Sequence, residues 1–146
     1  MSYNKEVILI VEDEPDDMFF IKKAFADAGI KNPVQEAEDC GTALDYLNGK
    51  GLYADRQKHP LPILVLLDLK LPDKSGLEVA RKIKEMKPKR TAVIVFTSSS
   101  NTADIKAAYQ GGATSYVVKP LSVAERNSFA VMVRDYWLGY NLYPPQ

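Results

Sequence analysis

The chain has 146 residues, of which 46% are hydrophobic, and this length and composition suit one globular domain with a core of its own. Its 19 basic and 19 acidic side chains cancel, which argues against binding to nucleic acid or to a membrane surface through a broad charged field. The single cysteine, Cys40, excludes an intrachain disulfide, and no segment is typical of a signal peptide or a membrane span, so we expect a cytoplasmic protein.

The first half of the chain predicts two strands, each followed by a helix. An apolar run at residues 7–11 is followed by Pro15, which suits the first turn of a helix, and the helical spacing ends at Gly29. A weaker strand at 34–37 precedes a helix at 42–47. Residues 52–62 are predicted to form a surface loop or a frayed helix end, in which His59 has no expected role.

The second half repeats the alternation three times. Apolar runs at 63–67, 92–96 and 116–118 precede helices that start near Gly76, after Ser98, and at Ser122. The apolar stripe of the last helix consists of Phe129, Met132, Val133, Tyr136 and Trp137. Five strand–helix units in succession predict an α/β fold with a doubly wound, five-stranded parallel sheet.

Polar residues follow four of the five predicted strands. Glu12 and Asp13 follow the first, Asp68 the third, Thr97 the fourth and Lys119 the fifth. Because the carboxyl ends of parallel strands share one edge, we expect these side chains to lie together. Taken singly, each has a simpler interpretation: Asp68 as a loop aspartate, Thr97 as a β-branched strand residue, Lys119 as a solvated lysine.

Asp16 and Asp17 are interpreted differently, as acidic residues near a helix N-terminus, where the helix dipole favours negative charge.

The grouped carboxylates predict a magnesium site. Two carboxylates about 4 Å apart repel by roughly 4 kcal/mol at an effective dielectric of 20, so three at one edge need a cation. Oxygen ligands without histidine or cysteine favour Mg²⁺, with Asp13 and Asp68 as direct ligands, Glu12 binding through water and the backbone carbonyl of Lys70 completing the shell. A carboxylate in such a site can attack a phosphoryl donor, with the Lys119 ammonium and the Thr97 hydroxyl stabilising the transferred oxygens.

With these motifs in place, the chain resembles the receiver domain of two-component response regulators from about Val7 to Tyr136. The matching segments are residues 11–13, residues 67–72 with Gly76, residues 96–98 and residues 116–120. The resemblance implies a flavodoxin-like (βα)5 fold with strand order 2-1-3-4-5. One departure is Glu12, since this metal-binding position is often aspartate in the family.

The resemblance also assigns roles. It implies that Asp68 is the phosphoacceptor and that Glu12 and Asp13 serve Mg²⁺. It makes Thr97 the switch hydroxyl and Lys119 the cation that pairs with the phosphoryl group. Tyr116 matches the aromatic residue that moves inward on activation, and a cis peptide bond is implied between Lys119 and Pro120.

By the same resemblance, the protein is a switch rather than a turnover enzyme. Its phosphoryl donor is a phosphohistidine on a sensor histidine kinase or a histidine phosphotransfer protein, and its readout surface comprises the fourth helix, fifth strand and fifth helix. Residues 1–138 form the receiver, and residues 139–146 form a short aromatic and proline-containing tail without an output domain. The tail and the loop at 52–62 resemble the phytochrome-associated, single-domain branch. Two interpretations of the last helix stay open: a homodimer interface, or cover for its own core.

Other classes fit less well. A haloacid-dehalogenase-type phosphatase would have a second acid where this chain has Lys70, and a nucleotide or flavin module would have a glycine-rich loop after the first strand. A pseudo-receiver that binds partners without phosphorylation is a closer alternative, which the complete acceptor set disfavours.

Overall fold

The computed structural model describes residues 3–88 and 90–145. Five strands form one parallel sheet in the order 2-1-3-4-5: β1 (Ile8–Val11), β2 (Val34–Ala37), β3 (Leu64–Leu67), β4 (Ala92–Thr97) and β5 (Ser115–Val118). Five helices alternate with them: α1 (Pro15–Asp27), α2 (Cys40–Asn48), α3 (Leu77–Met86), α4 (Thr102–Gln110) and α5 (Val123–Met132). The predicted fold class and strand order are confirmed.

The three central strands are buried on both faces, as their unbroken apolar sequences require. Alternate strand residues point to opposite faces and separate the core into two clusters. Ile8, Leu64 and Ile94 belong to the cluster beneath α1 and α5, and Leu9 and Val65 to the cluster beneath α2 and α3. The sheet is therefore a rigid platform, and its carboxyl edge has a fixed geometry.

Helix starts follow local sequence signals. Pro15 is the first residue of α1, and the side chains of Asp39, Asn101 and Ser122 accept hydrogen bonds from the first turns of α2, α4 and α5. Each of these caps fixes where a helix leaves the sheet edge. Within the described ranges, no helix is both long and apolar enough to span a bilayer.

The guanidinium group of Arg56 ties the loop at 52–62 to the end of α2. Arg56 donates hydrogen bonds to the backbone carbonyl oxygens of Tyr46, Leu47 and His59 at 2.8–2.9 Å, which satisfies the last turn of α2. His59 packs edge-on against Tyr46 and Tyr53. The segment is thus an ordered extension of α2.

The C-terminal segment packs back onto the domain. After α5 the chain continues as a π-helix, Val133–Tyr140, and Tyr143 is buried against Tyr3, with ring centroids 4.8 Å apart. The backbone N–H of Tyr143 donates to the Tyr3 hydroxyl at 3.0 Å. Of the predicted stripe, Phe129 and Val133 are buried and Trp137 packs partly buried against the core, whereas Met132 and Tyr136 are 36% and 48% exposed.

Candidate phosphoacceptor site

Asp68 lies directly after β3, and its carboxylate is buried at the carboxyl edge of the sheet. Its Oδ1 atom accepts hydrogen bonds from the Thr97 hydroxyl at 2.9 Å and from the Lys70 backbone N–H at 3.1 Å. Its Oδ2 atom accepts one from the Lys119 ammonium at 2.7 Å. The structure therefore brings Asp68, Thr97 and Lys119 together, as the strand-end pattern predicts.

Lys119 is surrounded by carboxylates. Its Nζ atom lies 2.6 Å from Glu12, 2.7 Å from Asp68 and 2.9 Å from Asp17. Burial alone would lower the pKa of Lys119, but the hydrogen bonds to Asp68, Glu12 and Asp17 outweigh it and raise that pKa above its ordinary value. The lysine is consequently charged at neutral pH and partly neutralises the acidic edge.

Glu12 follows β1 and is also buried. One of its carboxylate oxygens pairs with Lys119, and the other accepts the backbone N–H of Glu14 at 3.1 Å. Burial raises the pKa of Glu12, although the hydrogen bonds from Lys119 and Glu14 act in the opposite direction. A buried carboxylate with a raised pKa gains from a nearby cation, because a second positive charge stabilises its ionised form.

Three carboxylates are placed to share a cation. Glu12, Asp13 and Asp68 each offer one oxygen, and these oxygens lie within 4.8 Å of one another. The donor set contains only hard oxygen ligands, and it is more negative than Lys119 alone can balance, so it fits a divalent cation such as Mg²⁺. The predicted metal-binding carboxylates are thus adjacent.

Gly76 allows the loop after Asp68 to fold back. A Cβ atom on Gly76 would lie 2.1 Å from the backbone oxygen of Asp68, so only glycine fits there. The Gly76 backbone N–H donates to the carbonyl oxygen of Leu69 at 2.9 Å, and Lys70 forms an isolated antiparallel bridge with Ser75. These contacts close the loop that carries the phosphoacceptor.

Tyr116 lies on β5, and β4 separates it from β3, the strand that ends at Asp68. Its hydroxyl donates to the backbone carbonyl oxygen of Ser99 at 2.8 Å, and burial raises its pKa. Ser99 is in the segment that follows Thr97, so Tyr116 is linked to the site through the loop after β4.

One expectation is wrong: the peptide bond between Lys119 and Pro120 is trans. Trans is favoured by about 0.5–1 kcal/mol for bonds that precede proline, and the prediction of a cis bond depended on the resemblance alone. The backbone N–H of Lys119 donates to the carbonyl oxygen of Thr97 at 2.8 Å, which extends the pairing of β4 with β5 up to this bond.

Asp17 has a contact that its position near a helix N-terminus does not predict. Its carboxylate contacts Lys119 rather than only facing the helix dipole, and it lines, with Asp13, Asp68 and Thr97, a cleft of about 200 Å³. A sequence signal existed: Asp17 is four residues after Asp13, and Pro15 places it in the first turn of α1, next to the same sheet edge.

Residues 8–128 match the family model of the response regulator receiver domain. Among curated proteins, the chain is 36% identical to a probable methanogenesis regulatory protein, FilR2, of Methanothrix harundinacea, over 94% of this chain and 87% of that protein. It is 31% identical to the response regulator Rcp1 of Synechocystis sp., over 91% of this chain and 89% of Rcp1.

Solved structures of response regulators are similar to this chain over nearly its whole length. The phosphorylated cyanobacterial phytochrome response regulator RcpA superposes with a TM-score of 0.87 at 31% identity, covering 97% of this chain and 99% of RcpA. The Mn²⁺-bound form of Rcp1 superposes with a TM-score of 0.83 at 30% identity, covering 96% and 99% of the two chains. The similarity thus extends over nearly the full length of stand-alone relatives.

Proposed function

The chain belongs to the response regulator receiver family of two-component systems, and on that premise we propose that Asp68 accepts a phosphoryl group from a phosphohistidine of a partner protein. The observation that carries the proposal is the environment of the Asp68 carboxylate. It is buried, it contacts Thr97 and Lys119, and it lies beside two further carboxylates. Receiver domains are signalling switches, so we expect a stoichiometry of one phosphoryl group per chain.

The acidic edge would hold the divalent cation that receiver domains bind. Asp13 and Asp68 offer direct ligands, Glu12 can bind through water, and the Lys70 carbonyl is the proposed backbone ligand. A bound Mg²⁺ would supply charge neutralisation for the phosphoryl oxygens. The Mn²⁺-bound form of the relative Rcp1 supports the choice of a divalent metal.

The transfer requires little beyond positioning. One oxygen of Asp68 forms a bond to phosphorus while the bond between phosphorus and the donor imidazole nitrogen breaks, and that bond's electron pair returns to the nitrogen. Lys119 and Thr97 each bind a phosphoryl oxygen, because their donors already lie within 3 Å of the acceptor carboxylate. Attack by water on the acyl phosphate later releases phosphate and restores Asp68.

Phosphorylation would then shift a conformational equilibrium. The added group carries about −1.5 to −2 charges, and Thr97 and Lys119 favour the loop arrangement that binds its oxygens best. Tyr116 is proposed to transmit the change, because its hydroxyl holds the carbonyl oxygen of Ser99, two residues beyond Thr97. The surface of α4, β5 and α5 would read the switch out; it exposes Val118 and Val123.

The partners are proposed at the level of class. The donor is a sensor histidine kinase or a histidine phosphotransfer protein, and the similarity to a phytochrome response regulator supports a photoreceptor kinase as one candidate. Residues 1–138 are proposed as the receiver and 139–146 as its tail. A homodimer through the last helix is supported by the exposed Tyr136 and Tyr140.

Acetyl phosphate with Mg²⁺, followed by intact-mass measurement, tests the proposal. We expect one phosphate adduct on the wild-type chain and none in EDTA or in Asp68→Asn. Asp73→Asn is the matched control, since Asp73 lies in the same loop but bonds the start of α2, and it should keep the adduct. A wild-type chain that stays unmodified would favour a pseudo-receiver.

A further inference from the structure

The Lys119 ammonium already has three carboxylate partners. An ammonium group has three N–H donors, and three carboxylate oxygens, one each from Glu12, Asp68 and Asp17, lie within 2.9 Å of the Lys119 nitrogen. A phosphoryl group on Asp68 would bring three more acceptor oxygens to the same place. These oxygens would compete with the present partners of Lys119 for its ammonium group.

The three partners differ in how easily they can leave. The side chains of Glu12 and Asp68 are 5% and 7% exposed, whereas that of Asp17 is 43% exposed. Glu12 and Asp68 are buried at the proposed Mg²⁺ site, whereas water reaches the Asp17 carboxylate and can rehydrate it without rearrangement of the core. Asp17 also has the longest of the three contacts, at 2.9 Å. Its release therefore costs least.

We propose that Asp17 is a positioning residue that holds Lys119 before phosphorylation and is displaced when a phosphoryl oxygen takes its place. The inference rests on the proposed role of Asp68. Asp17 opposes phosphoryl binding in two ways. It competes for the Lys119 ammonium, and it adds a negative charge beside the incoming anion. Once displaced, its carboxylate faces water on the first turn of α1, so phosphorylation also alters the charge presented by that helix.

Asp16 provides a matched control for Asp17. It is the adjacent acidic residue in the same turn of α1, it is exposed, and it is not among the carboxylates that contact Lys119. Asp16→Asn and Asp17→Asn therefore make the same change in net charge almost at the same position. A difference in affinity between the two variants therefore reports the contact with Lys119 and not the change in net charge near the site.

Beryllofluoride with Mg²⁺, titrated by calorimetry, serves as the probe for phosphoryl binding. We expect Asp17→Asn to bind it about 1.4- to fivefold more tightly than Asp16→Asn, since this ratio corresponds to the roughly 0.2–1 kcal/mol measured for exposed ion pairs. Asp17→Glu restores a carboxylate that can reach Lys119 and should return the affinity towards the wild-type value. Without the probe, Asp17→Asn should melt at a lower temperature than Asp16→Asn, because Lys119 has lost a partner.

The outcomes separate the two proposals. If the wild-type chain does not bind beryllofluoride, the proposed role of Asp68 fails. If the wild-type chain binds beryllofluoride, but Asp17→Asn binds it no more tightly than Asp16→Asn, the proposed role of Asp17 is overturned and the proposed role of Asp68 is retained. A purely structural role would lower the melting temperature of Asp17→Asn without raising its affinity, and that result would also overturn the inference.

Discussion

Replacing Gly76 by alanine should strain the loop that carries Asp68. The φ of Gly76 is −57°, which any residue adopts, so space and not backbone conformation decides the outcome. The new Cβ would lie 2.1 Å from the backbone oxygen of Asp68 and 3.0 Å from its carbonyl carbon, whereas real Cβ atoms essentially never approach closer than 3.0 Å. The clashing atoms are main-chain atoms, which cannot rotate away.

The expected cost follows from these contacts. Relieving the clash requires a main-chain movement of about 0.9 Å, and overpacking of this kind typically costs 1–3 kcal/mol. The movement also disturbs the hydrogen bond from Gly76 to Leu69, and a typical hydrogen bond contributes about 0.5–1.5 kcal/mol. We therefore expect Gly76→Ala to lower the free energy of unfolding by about 2–4 kcal/mol and the melting temperature by roughly 5–15 °C.

Urea unfolding and thermal melting of Gly76→Ala measure this cost, with Gly41→Ala as the control. Gly41 lies in the first turn of α2, and a Cβ there would meet only Asp73 Oδ2, at an ordinary 3.5 Å, and Asp39 Oδ1, at 3.8 Å. Since alanine is the better helix former, the control should be as stable as the wild type or slightly more stable. Ordinary surface substitutions change the free energy of unfolding by no more than about 0.5 kcal/mol. If the free energies of unfolding of Gly76→Ala and the wild type differ by less than this, the close approach of Gly76 to Asp68 does not constrain the loop.

Two further predictions concern carboxylates. Asp73 accepts hydrogen bonds from the backbone N–H groups of Cys40 and Gly41, and these hold its pKa below the ordinary 3.8. The carboxylate therefore contributes to stability above pH 3.8, and this contribution is lost as the pH falls through the lowered pKa. Asp73→Asn should melt below the wild type at pH 7, and the difference in melting temperature should shrink as the pH falls below 3.8; a difference that does not shrink with falling pH would contradict the assignment. Asp13→Asn should relieve repulsion from Asp68, so its free energy of unfolding in EDTA should be about 1 kcal/mol above that of the wild type. Mg²⁺ should raise its melting temperature less than it raises that of the wild type, because one ligand is missing. Equal Mg²⁺ shifts in melting temperature would show that Asp13 is not a ligand.

Much of the site could be predicted because it depends on strand ends. Asp68, Thr97 and Lys119 each follow an apolar run, and parallel strands bring their carboxyl ends to one edge whatever the details of packing. The same regularity gives the order of the elements and the starts of α1 and α5, since Pro15 and Ser122 act within a single turn.

The residues at the ends of the strands can be predicted from the sequence, because burial and local capping are short-range properties of the chain. Three contacts become visible only in the folded molecule: Asp17 with Lys119, 102 positions away, Arg56 with the end of α2, and Tyr143 with Tyr3. These contacts join side chains whose separation depends on how helices pack on the sheet. That distance is set by the whole core, so a local signal can place Asp17 in the first turn of α1 but cannot identify Lys119 as its partner.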